Sequence, residues 1–386
     1  MQLIKVNNEN TRKEFNALPF KIYQNDKNWI PHLQQDIEQV FDKKKNKFFR
    51  HGEAERWILQ KDGKTIGRVA AFINRKQAKK FDQPTGGMGF FECIDEQDAA
   101  FLLFDTCKNW LKEREMEAMD GPINFGEKDK FWGLITENFD YPPYYNQNYN
   151  PQYYVKLFED YGFKVYYEQF IFYRTVEKEL SGKIKERARK FLDNPEYVFT
   201  HIKKDNLEKY AEDFRTVYNR AWVKHEGFGQ MEKAQAMAII KSIKPILDEH
   251  LVQFAYYKEQ PIGFFIALPE INQIFRHVKG NLNWWGKLKF LYHQWKGTCT
   301  TFFGLAFGID PDFQGQGLEA ALFEECRRIN LKRKKYKDVV ITWVGDFNPK
   351  MIRVIEGMGG EKLRTLATYR YLFDRNAKFE RAKRMN

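Results

Sequence analysis

Apolar and polar residues change their spacing at regular intervals along the chain, and these changes predict an alternation of strands and helices. Two apolar runs flank Asp62-Gly63, a pair that favours the backbone of a tight hairpin turn. A second hairpin is predicted around residues 258–260, and residues 7–47 are predicted to be helix-rich with breaks at Pro19 and Pro31. The remaining predicted elements are strands at 1–6, 87–94, 116–119, 164–176, 197–202, 301–309, 339–344 and 365–373, and helices at 96–114, 153–161, 207–222, 234–247, 318–331 and 349–358.

The order of these predicted elements repeats once along the chain. Gly67 recurs as Gly263, and a Glu-x-x-Gly sequence that ends at Gly162 recurs with its end at Gly359, so the two offsets are 196 and 197 residues. Self-similarity of fixed order over this length indicates duplication of a whole domain rather than a solenoid. The predicted fold class is therefore α/β, with mixed sheets in two tandem domains.

The joint between the repeats is polar and is predicted to form a linking helix. We expect a first domain at residues 1–176, a linker helix at 177–196 and a second domain at 197–386. The second repeat also contains residues 271–297, for which the first repeat has no counterpart.

The charge of the chain favours anionic partners. Its 64 Lys and Arg residues outnumber 52 Asp and Glu residues, which gives a net charge of +12. Such an excess is typical of proteins that meet a phosphate-bearing cofactor, nucleic acid, an acidic carrier protein or an anionic membrane, although solvated faces can also account for it. No apolar window approaches the length of a membrane-spanning helix, and the N-terminus has no apolar signal segment, so a cytoplasmic protein is expected.

The cysteines and histidines are scattered along the chain. The four cysteines, Cys93, Cys107, Cys299 and Cys326, have no C-x-x-C spacing and suit a reducing compartment in which they are buried thiols. The seven histidines form no H-E-x-x-H sequence and no close pair, so no metal site is expected.

The most informative segment runs from a strand through a glycine-rich turn into a helix, over residues 307–323. Gly315 and Gly317 permit close approach of the backbone, and the free N–H groups at the start of the next helix then converge on one point. This geometry binds phosphate or pyrophosphate, with the helix dipole adding to the attraction. The segment is neither a Walker A loop nor a dinucleotide fingerprint, since neither spacing is present, and an ordinary tight turn is the alternative.

This segment resembles the acyl-CoA loop of the GNAT acyltransferase superfamily, whose core is Q/R-x-x-G-x-G/A after a proline-containing turn. Pro311, Gln314 and Gly317 match that pattern, whereas Glu319 stands where the family usually has Gly or Ala. A carboxylate there could weaken pyrophosphate binding by about 1 kcal/mol, the scale of a charge at a helix terminus.

A second segment also resembles the superfamily. Residues 343–351 are similar to the strand-to-helix junction that opens its last helix with Asn, here Asn348, and Gly359 follows at the usual spacing. The tyrosine that often serves as general acid in that helix falls at Ile355, so this role does not transfer.

The whole chain resembles uncharacterised bacterial tandem-GNAT proteins. The residues that carry this similarity lie in stretches 20–31, 89–92, 121–122, 218–228 and the glycine loop. The resemblance implies an N-acyltransferase that moves an acyl group, such as acetyl, from acyl-CoA to an amine acceptor without a metal. The residues implied in acyl-CoA binding are Leu305, Phe307, Ile309, Gln314, Gly315, Gln316, Gly317, Leu318 and Asn348.

Only the second repeat is expected to bind acyl-CoA. The equivalent turn of the first repeat has no glycine and carries Asp95, Glu96 and Asp98 at the start of its helix. These acids are expected to cap the helix and repel a pyrophosphate. The first repeat is therefore interpreted as a degenerate copy that braces the second or shapes the acceptor site.

Three residues are candidate catalysts. His225 and Glu226 could relay an amine proton, and Asp346 follows a predicted strand where substrate and cofactor meet in this fold. A polar helix end for the first two and a helix cap for Asp346 are the alternatives. Asn219 and Trp222 are predicted to contact the acceptor.

Cys299 and the insertion each have two interpretations. Cys299 could form an acyl intermediate or remain a buried thiol. Within the insertion, residues 283–295 are aromatic and basic without an acidic residue. This segment could cover a long acyl chain, contact an anionic membrane or carrier protein, or simply pack on the core.

Two further functions remain open. One is a non-catalytic acyl-CoA-binding or scaffolding protein with a GNAT fold, and the other is a ligase that uses aminoacyl-tRNA. No arginine–aromatic stripe of the kind that binds nucleic acid is visible in the sequence, so a nucleic-acid partner is not favoured.

Overall fold

One mixed sheet of thirteen strands runs through the molecule in a computed structural model that describes residues 1–78, 83–222 and 230–384. The strands are β1 (Gln2–Lys5), β2 (Gly52–Lys61), β3 (Lys64–Asn74), β4 (Thr85–Cys93), β5 (Ala118–Gly121), β6 (Leu134–Glu137), β7 (Lys164–Thr175), β8 (Tyr197–His201), β9 (Val252–Tyr257), β10 (Gln260–Pro269), β11 (Thr301–Ile309), β12 (Asp338–Gly345) and β13 (Glu361–Leu372). The helices are α1 (Glu9–Ile22), α2 (Gln34–Phe41), α3 (Arg75–Ala78), α4 (Gln97–Lys112), α5 (Tyr153–Tyr161), α6 (Gly182–Leu192), α7 (Leu207–Trp222), α8 (Lys233–Ile243), α9 (Asn272–Val278), α10 (Trp284–Trp295), α11 (Leu318–Arg333) and α12 (Pro349–Gly357).

The two repeats exchange their last strands. The sheet order is β1-β2-β3-β4-β5-β13-β7-β12-β11-β10-β9-β8, and β6 pairs with β13. Thus β7, which ends the first repeat, lies beside β12 of the second, while β13 lies beside β5 of the first. The two exchanged strands also pair with each other at the centre. The sheet is therefore continuous, and the division into domains at residue 176 stays a prediction.

The predicted internal repeat is visible in the packing of its glycines. Gly67 on β3 and Gly263 on β10 each lie under a leucine of a helix that covers the sheet in their own repeat. An added Cβ would lie 2.7 Å from Leu103 of α4 at the first position and 3.1 Å from Leu322 of α11 at the second. Both glycines thus allow a helix to approach the sheet closely, at equivalent places in the two repeats.

The predicted helix break at Pro19 is wrong, because Pro19 lies inside α1. A proline removes the N–H that would bond the carbonyl four residues earlier, here that of Phe15. Nη1 of Arg68, buried under the helix, donates to this carbonyl at 2.9 Å and replaces the lost bond. Pro31 does lie in the connection between α1 and α2.

The core lies on both faces of the sheet. β3 is buried over nine consecutive residues, as expected of a strand covered on both sides. In the first repeat α4 and α5 cover one face, where Phe104 and Phe158 lie in the core. In the second repeat α6 and α11 cover one face and α7 and α8 the other. In the second repeat, β11 and β12 separate partway along their length, which leaves an opening in the sheet.

Candidate functional site

β11 and β12 separate in the middle of the sheet. Their parallel pairing runs from Thr301 to Gly304, which lies opposite Ile341. Beyond this point β12 contains Trp343 with φ of +61°, and its register against β7 shifts. Residues 305–309 of β11 therefore continue beside β10 without β12 on their other side.

A β-bulge lies at the point of separation. On the β10 side, the register passes from Gly304 to Ala306 and skips Leu305. Leu305 is 44% exposed, which is unusual for a leucine on a central strand. A bulge takes backbone groups out of the ladder, so both the edge of β11 and the N–H groups at the bulge can meet a bound molecule.

The predicted glycine turn follows β11. Gly315 has φ of +72°, and Gly317, with φ of +107°, is the N-cap of α11. Ala321 is the residue whose N–H donates to the Gly317 carbonyl, at 3.0 Å. The earlier N–H groups of α11 point past the helix end, where they and the helix dipole favour an anion.

Side chains within and next to the turn fix its shape. The buried carboxylate of Asp310 accepts from the N–H of Asp312 and forms an ion pair with Nε of Arg220 at 2.8 Å. Gln314 donates to the Ile309 carbonyl at 2.9 Å, and Gln316 donates to the Asp312 carbonyl at 2.8 Å. Both glutamine side chains thus bond the loop itself, so a ligand would meet the backbone of the turn.

Gly317 also has a packing role that the sequence did not reveal. A Cβ at this position would lie 2.6 Å from Cβ of Arg187 on α6. Gly317 therefore permits α6 to pack against the start of α11. The contact is made by the Cβ and backbone of Arg187, whose side chain is exposed.

The other residues predicted to bind acyl-CoA differ in their burial and contacts. Phe307 stacks on Phe265 at 4.5 Å, and Ile309 and Leu318 are buried in the same core. Ile309 and Leu318 could therefore meet a ligand through their backbone only, whereas Phe307 is half-buried. The side chain of Asn348 accepts from the Met351 N–H at 3.2 Å, which is the N-cap bond of α12.

Asp346 is paired in the structure. Its carboxylate lies 2.6 Å from Nη2 of Arg381, in the C-terminal segment, and its N–H donates to the Glu168 carbonyl. The helix cap suggested as an alternative is made by Asn348 instead. The Asp346 carboxylate is thus engaged in an ion pair, and its predicted role as a base stays a prediction.

Asn219 holds the backbone rather than facing an open site. Its side chain exchanges two hydrogen bonds with the backbone of Met231, at 2.8 and 3.2 Å. His225 and Glu226 lie outside the described residues, as does the side chain of Trp222, so their predicted roles stay predictions.

An aromatic cluster missed by the sequence analysis lines β12 where it separates from β11. Trp343 contacts the rings of Trp132, Tyr167 and Phe347, with centroids 6.3 to 6.5 Å apart. Nε1 of Trp132 donates to the hydroxyl of Tyr167 at 2.9 Å. Two of these rings belong to the first repeat, and only the strand exchange brings them here.

The first repeat has filled the equivalent opening with its own chain. Pairing of β4 with β5 ends at Gly87, but the N–H of Ile123 then donates to the Met88 carbonyl at 2.8 Å. A Cβ on Gly89 would overlap the carbonyl oxygen of Ile123. The segment after β5 thus occupies the place that stays open beside β11.

The turn of the first repeat differs in one detail from the expectation. Glu96 is the N-cap of α4 but makes no side-chain capping bond; its carboxylate instead pairs with Lys61 at 2.9 Å. The expectation that Glu96 caps the helix with its side chain is wrong. Its charge still lies at the helix start, where it disfavours an anion.

Cys299 is a buried thiol in the structure. Its Sγ donates to the Glu270 carbonyl at 3.4 Å, and burial raises the pKa of this thiol to about 12. A thiol that stays protonated is a weak nucleophile. Among residues 1–78, 83–222 and 230–384, no group of three or more His, Cys, Asp or Glu side chains could hold a metal ion. No helix in these ranges is long and apolar enough to cross a membrane.

Comparison with known proteins supports the fold. No protein-family model matches the chain. It is 26% identical over 382 residues to a protein named bacterial ceramide synthase from Caulobacter vibrioides (strain NA1000 / CB15N), which covers 96% of this chain and 97% of that protein.

Two solved structures share the architecture. A tandem GNAT protein from the clavulanic acid biosynthesis pathway superposes with a TM-score of 0.55 at 8% identity, covering 97% of this chain and 99% of that one. A GCN5-related glucosamine N-acetyltransferase region in a fungal multi-domain β-N-acetylglucosaminidase superposes with a TM-score of 0.56 at 12% identity. That match covers 96% of this chain and 38% of the fungal chain. The predicted tandem GNAT fold is therefore confirmed.

Proposed function

We propose that this chain is an N-acyltransferase that transfers an acyl group from acyl-CoA to a primary amine. One observation carries the proposal: β11 parts from β12 at a bulge, and the same strand leads directly into the Gly315–Gly317 turn. A free strand edge next to an anion-favouring helix start suits a molecule that has amides at one end and a pyrophosphate at the other.

Acyl-CoA binds along this edge as a substrate. Its pantetheine amides pair with the backbone of residues 305–309, and its pyrophosphate meets the N–H groups at the start of α11. Arg187, exposed beside Gly317, supplies a positive charge near the pyrophosphate. Glu319, in the first turn of α11, opposes this attraction in part.

The chemistry needs positioning more than a strong base. The nitrogen lone pair of a neutral amine attacks the thioester carbonyl, a C–N bond replaces the C–S bond, and the CoA sulfur leaves and takes up a proton. Backbone N–H groups at the Leu305 bulge stabilise the charge that develops on the carbonyl oxygen. The aromatic cluster around Trp343 desolvates the amine and so favours its neutral form.

Because Arg381 pairs with the carboxylate of Asp346, the proposal assigns the proton to another acceptor. Water or the predicted pair His225 and Glu226 takes this role. The proposal therefore stands on the binding geometry and does not depend on a named base.

The acceptor is proposed to be a long-chain amino alcohol. The name of the Caulobacter relative supports this class, because a ceramide is an amide formed between a fatty acid and a long-chain amino alcohol, and the similarity extends over 96% of this chain. The donor is then a long-chain acyl-CoA, in contrast to the acetyl group of many GNAT enzymes.

Mass spectrometry of the product tests the proposal. The purified chain is incubated with palmitoyl-CoA or acetyl-CoA, together with either sphinganine or the short amine ethanolamine. We expect an amide with palmitoyl-CoA and sphinganine, accompanied by an equal amount of free CoA thiol. Amide formation with ethanolamine alone would contradict the lipid acceptor, and no amide with any pair would contradict the enzyme.

A second candidate is an acyl-CoA-binding protein without turnover. It is favoured by the Asp346–Arg381 ion pair and by Ile355 at the position where many GNAT enzymes have a tyrosine. Calorimetry distinguishes it, because this protein binds palmitoyl-CoA but releases no thiol when any amine is added.

A further inference from the structure

Helix α10 carries an unusual band of exposed apolar side chains. Of the twelve large hydrophobic residues exposed in the part of the chain that the structure describes, six lie on this one helix of twelve residues. Trp295 is the most exposed of them, at 83%, and Trp284 and Trp285 are each 65% exposed. The band consists of Trp284, Trp285, Leu288, Leu291, Tyr292 and Trp295.

These six side chains form one stripe that lysines border on both sides. At 100° per residue they fall within an arc of about 120°. Lys287 lies beyond one edge of this arc, and Lys289 and Lys296 lie beyond the other. The opposite side of the helix carries Gly286, which is buried, and Phe290.

The rest of the molecule holds α10 in this orientation. Phe290 packs on Phe275 of α9 at 5.5 Å between ring centroids, and His293 stacks on His277 at 3.9 Å. The side chain of Asn283 caps the helix by accepting from the Gly286 N–H at 2.9 Å. The exposed stripe is thus a fixed surface, turned outward by the packing of its other side.

The insertion that contains α10 is purely basic. Residues 271–297 include five Lys and Arg residues and no Asp or Glu. An apolar stripe rich in tryptophan, with lysines along both edges, is the pattern of a helix that lies in the interface of an anionic bilayer. Its length, about 17 Å from Trp284 to Trp295, suits lying in that plane.

We propose that α10 docks the protein on an anionic lipid bilayer, with its apolar stripe among the acyl chains and its lysines against the headgroups. A second copy of the chain fits less well, because an isologous contact would bring two sets of cations together without an acidic partner. An acidic carrier protein would match the lysines but leaves the breadth of the tryptophan stripe unexplained. The docking does not rest on the proposed reaction, although a lipid acceptor gives it a purpose.

Vesicle flotation tests the docking without any catalytic readout. The full chain is mixed with vesicles of phosphatidylglycerol and phosphatidylcholine in equal parts, or of phosphatidylcholine alone, at low and physiological salt. We expect flotation with the anionic vesicles and at least tenfold weaker binding to the neutral ones. Each lysine near an anionic surface contributes roughly a fivefold change in partitioning, so Lys287→Glu with Lys289→Glu should reduce binding by about 25-fold or more.

A second pair of substitutions tests the apolar part. Trp284→Ser combined with Trp295→Ser should reduce flotation at least tenfold at both salt concentrations, because partitioning scales with buried apolar area. The matched control is Leu331→Ser, which removes a 40% exposed leucine from α11 and should leave flotation unchanged. Circular dichroism and melting temperature confirm that each variant folds.

Three results would overturn the proposal. One is unchanged flotation in both double variants. Another is a wild-type chain that does not float with either kind of vesicle but forms a dimer that Trp295→Ser disrupts. The third is a wild-type chain that binds an acidic acyl carrier protein through α10 but does not float with vesicles.

Discussion

Replacing Glu270 with glutamine should remove a loss of stability that occurs as the pH rises from about 4.5 to 7. Glu270 follows β10 and is 3% exposed. Its Oε1 accepts from the N–H groups of Tyr145, in the first repeat, and Asn272, on α9, whereas Oε2 is buried without a hydrogen-bond partner among the described residues. Burial raises the pKa of this carboxyl from 4.5 to about 7.

The sign and size of the effect follow from this pKa. Below about pH 4.5 the carboxyl is protonated in both the folded and the unfolded chain, so its contribution to stability is fully present. Between 4.5 and 7 the unfolded chain ionises first, and the free energy of unfolding falls as the pH rises. A pKa difference of about 2.5 corresponds to a loss of about 3 kcal/mol, which is complete above pH 7.

Urea unfolding at pH 4.5, 5.5, 6.5 and 7.5 measures the effect. The Glu270→Gln variant keeps the shape of the neutral carboxyl, so its free energy of unfolding relative to wild type should rise across this range by up to about 3 kcal/mol. Glu186→Gln, at an exposed position of α6, is the matched control and should show a constant difference. A difference for Glu270→Gln that does not change with pH would refute the reasoning.

Two further predictions concern the glycine turn. Gly315 has open space where a Cβ would lie, and a left-handed backbone that both Asn and Asp tolerate. Gly315→Asp should therefore weaken CoA binding, measured by calorimetry, by about fivefold relative to Gly315→Asn. Equal affinities of the two variants would place the pyrophosphate elsewhere. Titration with CoA should give one site per chain, because Ile123 fills the equivalent opening of the first repeat; two equivalent sites would contradict this reading of the turn.

Local patterns were enough to predict most elements. The predicted bounds of α5 and β11 coincide with the observed ones, because each is a short segment with a clear apolar pattern between turn residues. The glycine turn was equally predictable, since the positive φ angles of Gly315 and Gly317 suit residues without a Cβ. The strand β6 was missed because its four residues pair with β13, more than two hundred positions away.

Contacts between distant segments were beyond the sequence. The carbonyl freed by Pro19 finds Arg68, and nothing near Pro19 indicates such a donor. Similarly, Arg381 forms an ion pair with Asp346, and the backbone and Cβ of Arg187 leave no room for a side chain at Gly317. In each case the partner is an arginine on a distant segment of the chain, so only the assembled fold shows the pair.

The strand exchange joins the two repeats in one sheet, although only the second has the glycine turn. Because β7 lies between β12 and β13, a strand of the first repeat separates the last strand of the second repeat from its other strands. The same exchange brings Trp132 and Tyr167 against Trp343 of β12. A duplicated domain that kept two separate sheets could lose one copy without harm to the other. Here the second repeat supplies the strand edge and the glycine turn, and the first supplies two rings of the aromatic cluster. The proposed site therefore requires both repeats.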